Sequence, residues 1–152
     1  MRTLGIDPGS RVTGYGVVEQ AGSRIVRVDH GEIRIKNGEP FTRCLSRIFD
    51  ELTEVILRTK PDAVALEDIF YGKNVKSLIK QGHVRGVALL ASSRSGIPVH
   101  EYTPPEATKA VVGCGQAAKQ QVQIMIWAIL KLPDPLPPDA SDALAVAICH
   151  TN

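Results

Sequence analysis

Two carboxylates in this sequence directly follow short apolar segments that predict buried strands. Asp7 ends the segment 3–6 and precedes a Pro8-Gly9 turn, and Glu67 ends the segment 63–66. An ionised carboxylate at the rim of a core is costly unless hydrogen bonds, a cation or a positive side chain compensate it. Asp7 could instead accept backbone N–H bonds from its own turn, a common structural role of Asp before Pro-Gly.

Two further carboxylates, Asp139 and Asp142, lie three residues apart at the predicted start of the last helix. Their side chains therefore share one face, and both lie where the helix dipole favours anions. Asp139 could cap the helix, but Asp142 is followed by the almost wholly apolar run 143–148, which must be buried. We therefore expect Asp142 to face a site.

These four acids, Asp7, Glu67, Asp139 and Asp142, could each have a separate local role as turn acceptor, strand-end charge, cap and dipole partner. They converge instead if the two strands are adjacent and the last helix packs across their carboxyl ends. Carboxylates that close together cannot all stay ionised without cations. Mg²⁺ and Mn²⁺ prefer such hard oxygen ligands, and a pair of these ions can activate water in phosphodiester cleavage. The residue types therefore point to a nuclease.

The elements that would position the four acids predict an α/β fold. Strands expected at 3–6, 13–19 and 24–35 follow one another as a meander, which favours an antiparallel ribbon. A helix over 41–60 then leads to the strand at 63–66, and this order allows a right-handed crossover that sets the new strand parallel to the first. The remaining expected elements are a strand over 97–102, helices over 73–95 and roughly over 105–112 and 117–132, and a last helix that starts near Asp139.

Length and composition limit the class of protein. A chain of 152 residues with 43% hydrophobic content suits one domain, 1–152, and is too short for two of ordinary size. The net charge of +2 is weak, so any nucleic-acid site must be a local patch. We expect a cytoplasmic protein, because no apolar run approaches the roughly 20 residues of a membrane span and no signal-peptide layout opens the chain. Three widely spaced cysteines fit reduced thiols better than a disulfide or zinc framework: Cys44, Cys114 and Cys149.

Lysines shortly after Glu67 could form the local patch. Lys73, Lys76 and Lys80 fall on one helical face, which is either an ordinary solvated surface or a phosphate-binding stripe beside the acids. Phe70 could belong to the core or could stack on an unpaired base, a contact that every base permits.

The same expected helix carries Gly82 and Gly86 four residues apart. Because they share a face, they allow close approach of another helix, in this subunit or in a second one. The helix face with Gly82 and Gly86 is the candidate dimer contact. Two active sites related by a two-fold axis would suit a substrate with nearly two-fold symmetry.

An ordered set of motifs resembles the RuvC family of Holliday junction resolvases. The set comprises Ile6-Asp7-Pro8-Gly9-Ser10 with Thr13-Gly14-Tyr15-Gly16, Glu67 followed by Phe70, Lys73 and Asn74, the stretch 113–119, and the stretch 139–145. The match runs nearly end to end and is highly specific as a set, although each piece alone is weak. The resemblance implies a ribonuclease-H-like fold with a five-stranded mixed sheet, a homodimer, and metal-dependent nicking of two strands at a four-way DNA junction.

By motif position, the four acids match the family's catalytic, metal-binding acids. The resemblance also assigns Phe70 to an aromatic that contacts opened bases and Lys119 to a basic residue near the cleaved strand. The sequence departs from the family at Thr108, where relatives often have Lys, with Lys109 next to it. A shift of one residue on a helix turns a side chain by about 100°, so the sequence leaves open whether Lys109 substitutes. A branch-migration helicase complex is a further partner that the resemblance suggests.

Other function classes compete with this hypothesis. An RNA-directed nuclease of the same fold is one, since fold does not fix substrate. A junction-binding module without catalysis is another; it would keep the lysines but would not need four acids. A member of the actin and sugar-kinase group shares an Asp-x-Gly turn but needs two domains to enclose a nucleotide.

Overall fold

The computed structural model describes residues 1–69 and 74–152, and this part of the chain forms five strands and five helices. In chain order they are β1 (Arg2–Asp7), β2 (Val12–Ala21), β3 (Arg24–Arg34), α1 (Phe41–Thr59), β4 (Ala63–Glu67), α2 (Val75–Arg94), β5 (Val99–Tyr102), α3 (Pro104–Val112), α4 (Lys119–Leu130) and α5 (Pro138–Thr151). The predicted five-stranded mixed sheet with flanking helices is confirmed.

The strand order β3-β2-β1-β4-β5 puts β1 at the centre of the sheet. β1, β2 and β3 pair antiparallel, as the meander predicts, whereas β4 runs parallel to β1 and β5 parallel to β4. Ile6 is in register with Leu66, so β1 and β4 end side by side. The next residue on each strand, Asp7 or Glu67, therefore lies at the same edge of the sheet.

Helices cover both faces of the sheet. Leu4 and Ile6 of β1 join the apolar cluster formed with α1 and α2, and the intervening Gly5 faces α5 on the other side, as strand alternation requires. The second cluster contains residues of α3, α4 and α5, including Val111, Ile126 and Leu144. Within the described residues, no helix is both long enough and apolar enough to cross a membrane.

A row of glycines brings α5 against the sheet. A Cβ added at Gly5 would lie 2.0 Å from the Ala143 carbonyl oxygen, and one at Gly14 would lie 2.0 Å from the Asp139 carbonyl oxygen. Real Cβ atoms do not come that close to a backbone atom, so only glycine fits at these positions. The helix that carries two of the four acids is thereby held directly on β1 and β2.

The starts of α5 and α2 bear most directly on the four acids and the lysines. α5 begins at Pro138, next to the expected Asp139, because Pro fits the first helical position and its missing N–H costs nothing there. The capping role considered for Asp139 is therefore wrong, since Asp139 lies inside the first turn and Pro137 is the N-cap residue. The start expected at Lys73 lies outside the described residues; α2 begins at Val75, with the Asn74 side chain accepting the Ser77 N–H.

Candidate active site

The four acids line one cleft at the carboxyl end of the central strands. The cleft has a volume of about 380 Å³, with Asp7 from β1, Glu67 from β4 and the Asp139–Asp142 pair from α5 in its wall. Asp7, Asp139 and Asp142 each offer a carboxylate oxygen, and these oxygens lie within 4.8 Å of one another. Two segments far apart in the chain thus bring three carboxylates within joint reach of one small cation, and Glu67 of a third segment lines the same cleft.

The pair formed by Asp7 and Glu67 has an increased affinity for protons. Burial is the main cause that raises the pKa of Asp7 well above its ordinary value, followed by a hydrogen bond with Glu67 and the nearby negative charges. Burial also raises the pKa of Glu67, while the hydrogen bond with Asp7 lowers it. Burial of two neighbouring carboxyl groups thus favours their neutral forms over their ionised forms.

The two acids of α5 differ in their neighbours. Burial raises the pKa of Asp142, and the ammonium of Lys119, whose Nζ lies 2.9 Å from Asp142 Oδ2, lowers it. Burial also raises the pKa of Asp139, and a hydrogen bond with the Glu32 carboxyl raises it further. The ion pair with Asp142 in turn raises the pKa of Lys119.

The residues in the cleft fit a divalent cation. Among the described residues that line the cleft, Lys119 is the one cationic side chain, against the four acids and the neighbouring Asp68. Burial is the main cause that raises the pKa values of those four carboxyl groups, and a bound cation would stabilise their ionised forms. Carboxylate oxygens are the ligands that Mg²⁺ and Mn²⁺ prefer.

The structure separates Thr108 from Lys109. Thr108 lines the cleft, whereas Lys109, one residue further along α3, is exposed and is not among the described lining residues. Lys76 and Lys80 are also exposed and outside the cleft wall; the Lys80 Nζ lies 5.7 Å from the centre of the Phe41 ring. Phe70 and Lys73, which were predicted to contact DNA, lie outside the described residues.

Two contacts of the site were missed from the sequence. The Gln81 Nε2 of α2 donates a 3.0 Å hydrogen bond to the Pro8 carbonyl oxygen, which ties α2 to the turn after Asp7. The Asp139 N–H donates a 3.2 Å hydrogen bond to Glu32 Oε2 of β3. A single polar residue on a helix or strand gives no sequence signal of a contact 73 or 107 residues away.

The acid cleft at the ends of β1 and β4, covered by the start of α5, defines a nuclease of the ribonuclease-H-like class. The family model described as crossover junction endodeoxyribonuclease RuvC matches residues 3–150. The chain belongs to the RuvC family, which confirms the resemblance carried by its motifs.

Individual relatives agree with this assignment over the whole chain. The crossover junction endodeoxyribonuclease RuvC of Geobacter metallireducens is 51% identical over 100% of this chain and 93% of its own length. The enzyme of the same name from Pelobacter propionicus is 54% identical over 100% of this chain and 86% of its own length. The structure of Thermus thermophilus RuvC in complex with a Holliday junction substrate superposes with a TM-score of 0.93 at 35% identity, covering 99% of this chain and 93% of that one.

Proposed function

We propose that the protein resolves four-way DNA junctions, in DNA recombination and repair, by hydrolysing one phosphodiester in each of two strands with the four acids as catalytic residues. The observation that carries this proposal is the convergence of the four acids from β1, β4 and α5 in one cleft. Family membership supports the substrate, and so does the likeness to a RuvC structure that contains a Holliday junction. An RNA-directed nuclease or a silent binding module has no comparable support.

We further propose that the four acids hold Mg²⁺, with Mn²⁺ as a substitute. The support is the donor set, in which Asp7, Asp139 and Asp142 offer hard oxygens within 4.8 Å of one another. When bound, these ions activate water and stabilise the leaving oxygen of a phosphodiester. Because burial raises the pKa values of Asp7 and Glu67, protons would compete with a cation for these carboxylates, so the metal affinity should rise with pH.

Lys119 is proposed as the phosphate contact nearest to the cut bond. Its ammonium pairs with Asp142, yet its side chain is 60% exposed, so the same group can meet a DNA phosphate at the mouth of the cleft. Three lysines outside the cleft are proposed as outer phosphate contacts, because they are exposed on α2 and α3: Lys76, Lys80 and Lys109. The proposals that Phe70 stacks on an opened base and that Lys73 binds phosphate rest on the sequence.

We propose that the protein acts as a homodimer that meets through one face of α2. Val75, Ile79 and Leu90 are 66%, 55% and 52% exposed, and helical spacing puts them on the same face as Gly82 and Gly86. An apolar face interrupted by glycines suits close contact with the same face of a second copy. Such a dimer would present two clefts to the two strands of a junction.

The cell context is also part of the proposal. We propose a cytoplasmic location, because Cys44, Cys114 and Cys149 are free cysteines and thiols stay reduced in the cytoplasm. A branch-migration helicase complex is proposed as a partner on the family resemblance.

A cleavage assay with the Asp7→Asn variant tests the proposed function. Wild type is expected to nick a four-way junction with Mg²⁺ and not with EDTA, and to leave a linear duplex and an RNA hairpin largely intact. Asp7→Asn should lower the cleavage rate by at least about a thousandfold, because a catalytic metal ligand is lost, while junction binding in a gel-shift assay stays within about threefold of wild type.

Asp50→Asn is the matched control, because Asp50 is an exposed carboxylate of α1 outside the cleft. It should cut like wild type. Equal rates on linear duplex and junction would remove the resolvase assignment, and loss of junction binding by Asp7→Asn would make Asp7 a structural residue.

A further inference from the structure

The start of α5 has no cap from its own sequence. The N-cap residue is Pro137, which has no side-chain acceptor, and Pro138 has no N–H. The N–H of Asp139 is therefore the first amide donor of the helix, and it has no partner within the helix. This amide belongs to one of the four acids.

An acceptor for this amide comes from the neighbouring sheet. Glu32 Oε2 accepts the Asp139 N–H at 3.2 Å, in the geometry that an N-cap side chain would provide. The other oxygen, Oε1, lies 2.8 Å from the Arg34 guanidinium, and only 10% of the Glu32 side chain is exposed. One oxygen of the Glu32 carboxylate thus pairs with Arg34, while the other binds the first amide of α5.

The register of the sheet explains why Glu32 reaches this amide. Glu32 of β3 lies directly opposite Gly14 of β2, which in turn lies opposite Asp7 of β1. Directly opposed residues point to the same face of a sheet, and Gly14 lacks the side chain that would separate Glu32 from the helix start. Glu32 and Asp7 thus lie in one cross-strand row beneath the first turn of α5.

We propose that Glu32 is a positioning residue that caps α5 from β3 and thereby fixes Asp139 and Asp142 in the cleft. Glu32 acts through the helix start and does not itself touch the reacting phosphate. The inference rests on the proposed function of the four acids. It predicts that loss of the Glu32 acceptor loosens metal binding and slows cutting without weakening the affinity for junction DNA.

Three variants separate capping from a general structural role. Glu32→Ala removes the acceptor, Glu32→Gln keeps one acceptor oxygen, and Asp29→Ala removes a carboxylate of the same strand that pairs with Arg58 and lies outside the cleft wall. The measurements are hydrogen exchange of the Asp139 amide by NMR, Mn²⁺ affinity by calorimetry, and the kcat and junction Kd of cleavage.

Glu32→Ala is expected to speed exchange of the Asp139 amide by about tenfold or more, and to lower Mn²⁺ affinity and kcat by about 10–100-fold. Its junction Kd should stay within about twofold of wild type. Glu32→Gln should restore amide protection and most of kcat, and Asp29→Ala should change none of these values by more than about twofold.

Unchanged amide exchange in Glu32→Ala, or a kcat equal to that of Asp29→Ala, would overturn the proposal. A Glu32→Gln variant as defective as Glu32→Ala would also overturn it, because an acceptor would then be insufficient. If Glu32→Ala does not fold, Asp139 amide protection in Glu32→Gln decides the question. Amide exchange and Mn²⁺ affinity need no DNA, so failure of wild type to cut junctions would refute the proposed function and leave the capping test intact.

Discussion

Helix α5 lies against glycines of β1 and β2, whereas helix α2 carries two glycines of its own that face open space. An added Cβ at Gly5 or Gly14 would collide with the α5 backbone at 2.0 Å, but one at Gly82 or Gly86 would meet no atom of the described chain within 4 Å. Gly5 and Gly14 are thus covered by α5 within the subunit. The second pair leaves a surface on which a partner could pack.

The same contrast holds for the charged residues of the two helices. Asp139 and Asp142 lie half-buried at the start of α5, where burial raises their pKa values. Lys76 and Lys80 lie exposed on α2, where water already solvates their charge. Burying the ionised carboxylates of α5 therefore costs folding stability for the sake of the site, whereas the exposed lysines of α2 carry no such cost.

The largest effect expected from this comparison is that of Gly14→Ala. The new methyl group would lie 2.0 Å from the Asp139 carbonyl oxygen, which is backbone and cannot turn aside. Relief requires α5 to move off β2, so the free energy of unfolding should fall by about 2–4 kcal/mol and cleavage should be lost. Urea unfolding monitored by circular dichroism measures the first effect, and the junction assay the second.

Gly22→Asn is the control, because it tests whether a substitution of another glycine close to β2 also lowers the free energy of unfolding. Gly22 follows β2 in a turn with a φ of +65°, which Asn tolerates, and an added Cβ there meets no atom within 4 Å. Its unfolding free energy should stay within about 1 kcal/mol of wild type. A Gly14→Ala variant as stable as this control would contradict the close packing of α5.

A smaller effect, of opposite sign, is expected from Asp7→Asn in metal-free protein. The folded-state pKa of Asp7 is raised, mainly by burial and then by Glu67, so ionisation of Asp7 favours the unfolded state. The stability that protonated Asp7 contributes is complete below its unfolded pKa and is lost as the pH rises through the folded pKa. Asn cannot ionise, so the variant should be more stable than wild type by about 0.5–2 kcal/mol at pH 8 in EDTA.

The difference between the two proteins should shrink as the pH falls toward the unfolded pKa of Asp. Urea unfolding at pH 8 and pH 5 measures it, and Mg²⁺ should stabilise wild type more than the variant. Asp50→Asn, a surface substitution on α1, is the control, and its free energy of unfolding should stay within about 0.5 kcal/mol of that of wild type. An Asp7→Asn variant less stable than wild type at pH 8 would mean that the Asp7 charge is compensated in the folded protein.

The sequence was sufficient to predict the elements that carry the four acids, because local patterns and chain order specify these elements. Apolar runs that end in Asp7 and Glu67 predicted two strands, and the helix between them predicted their parallel pairing. Whether Thr108 or Lys109 faces the cleft depends on the rotation of α3 about its axis, which only packing fixes. The contact of Glu32 with α5 joins residues 107 positions apart and leaves no periodic signal.

The glycines of α2 were ambiguous in the sequence because the same spacing suits a contact within the subunit or between subunits. The structure excludes the first for the described residues and leaves the second as a proposal. Gly82→Ala distinguishes a helix face that contacts a second subunit from one that faces solvent. Its expected effect is the smallest of the three. On an empty surface the substitution stabilises the helix by about 0.5–1 kcal/mol, because Ala has the higher helix propensity and loses less backbone entropy.

In a dimer with close helix contact, Gly82→Ala should instead weaken self-association, and the larger Gly82→Leu should weaken it further, by about tenfold or more in the dimer Kd. Analytical ultracentrifugation measures the dimer Kd, and urea unfolding at low protein concentration measures the helix effect in the monomer. Leu57→Ala is the control, since Leu57 is an exposed apolar residue on α1 rather than on α2. If Gly82→Leu dimerises like wild type, the open glycines of α2 mark bare surface, and the homodimer must use another face.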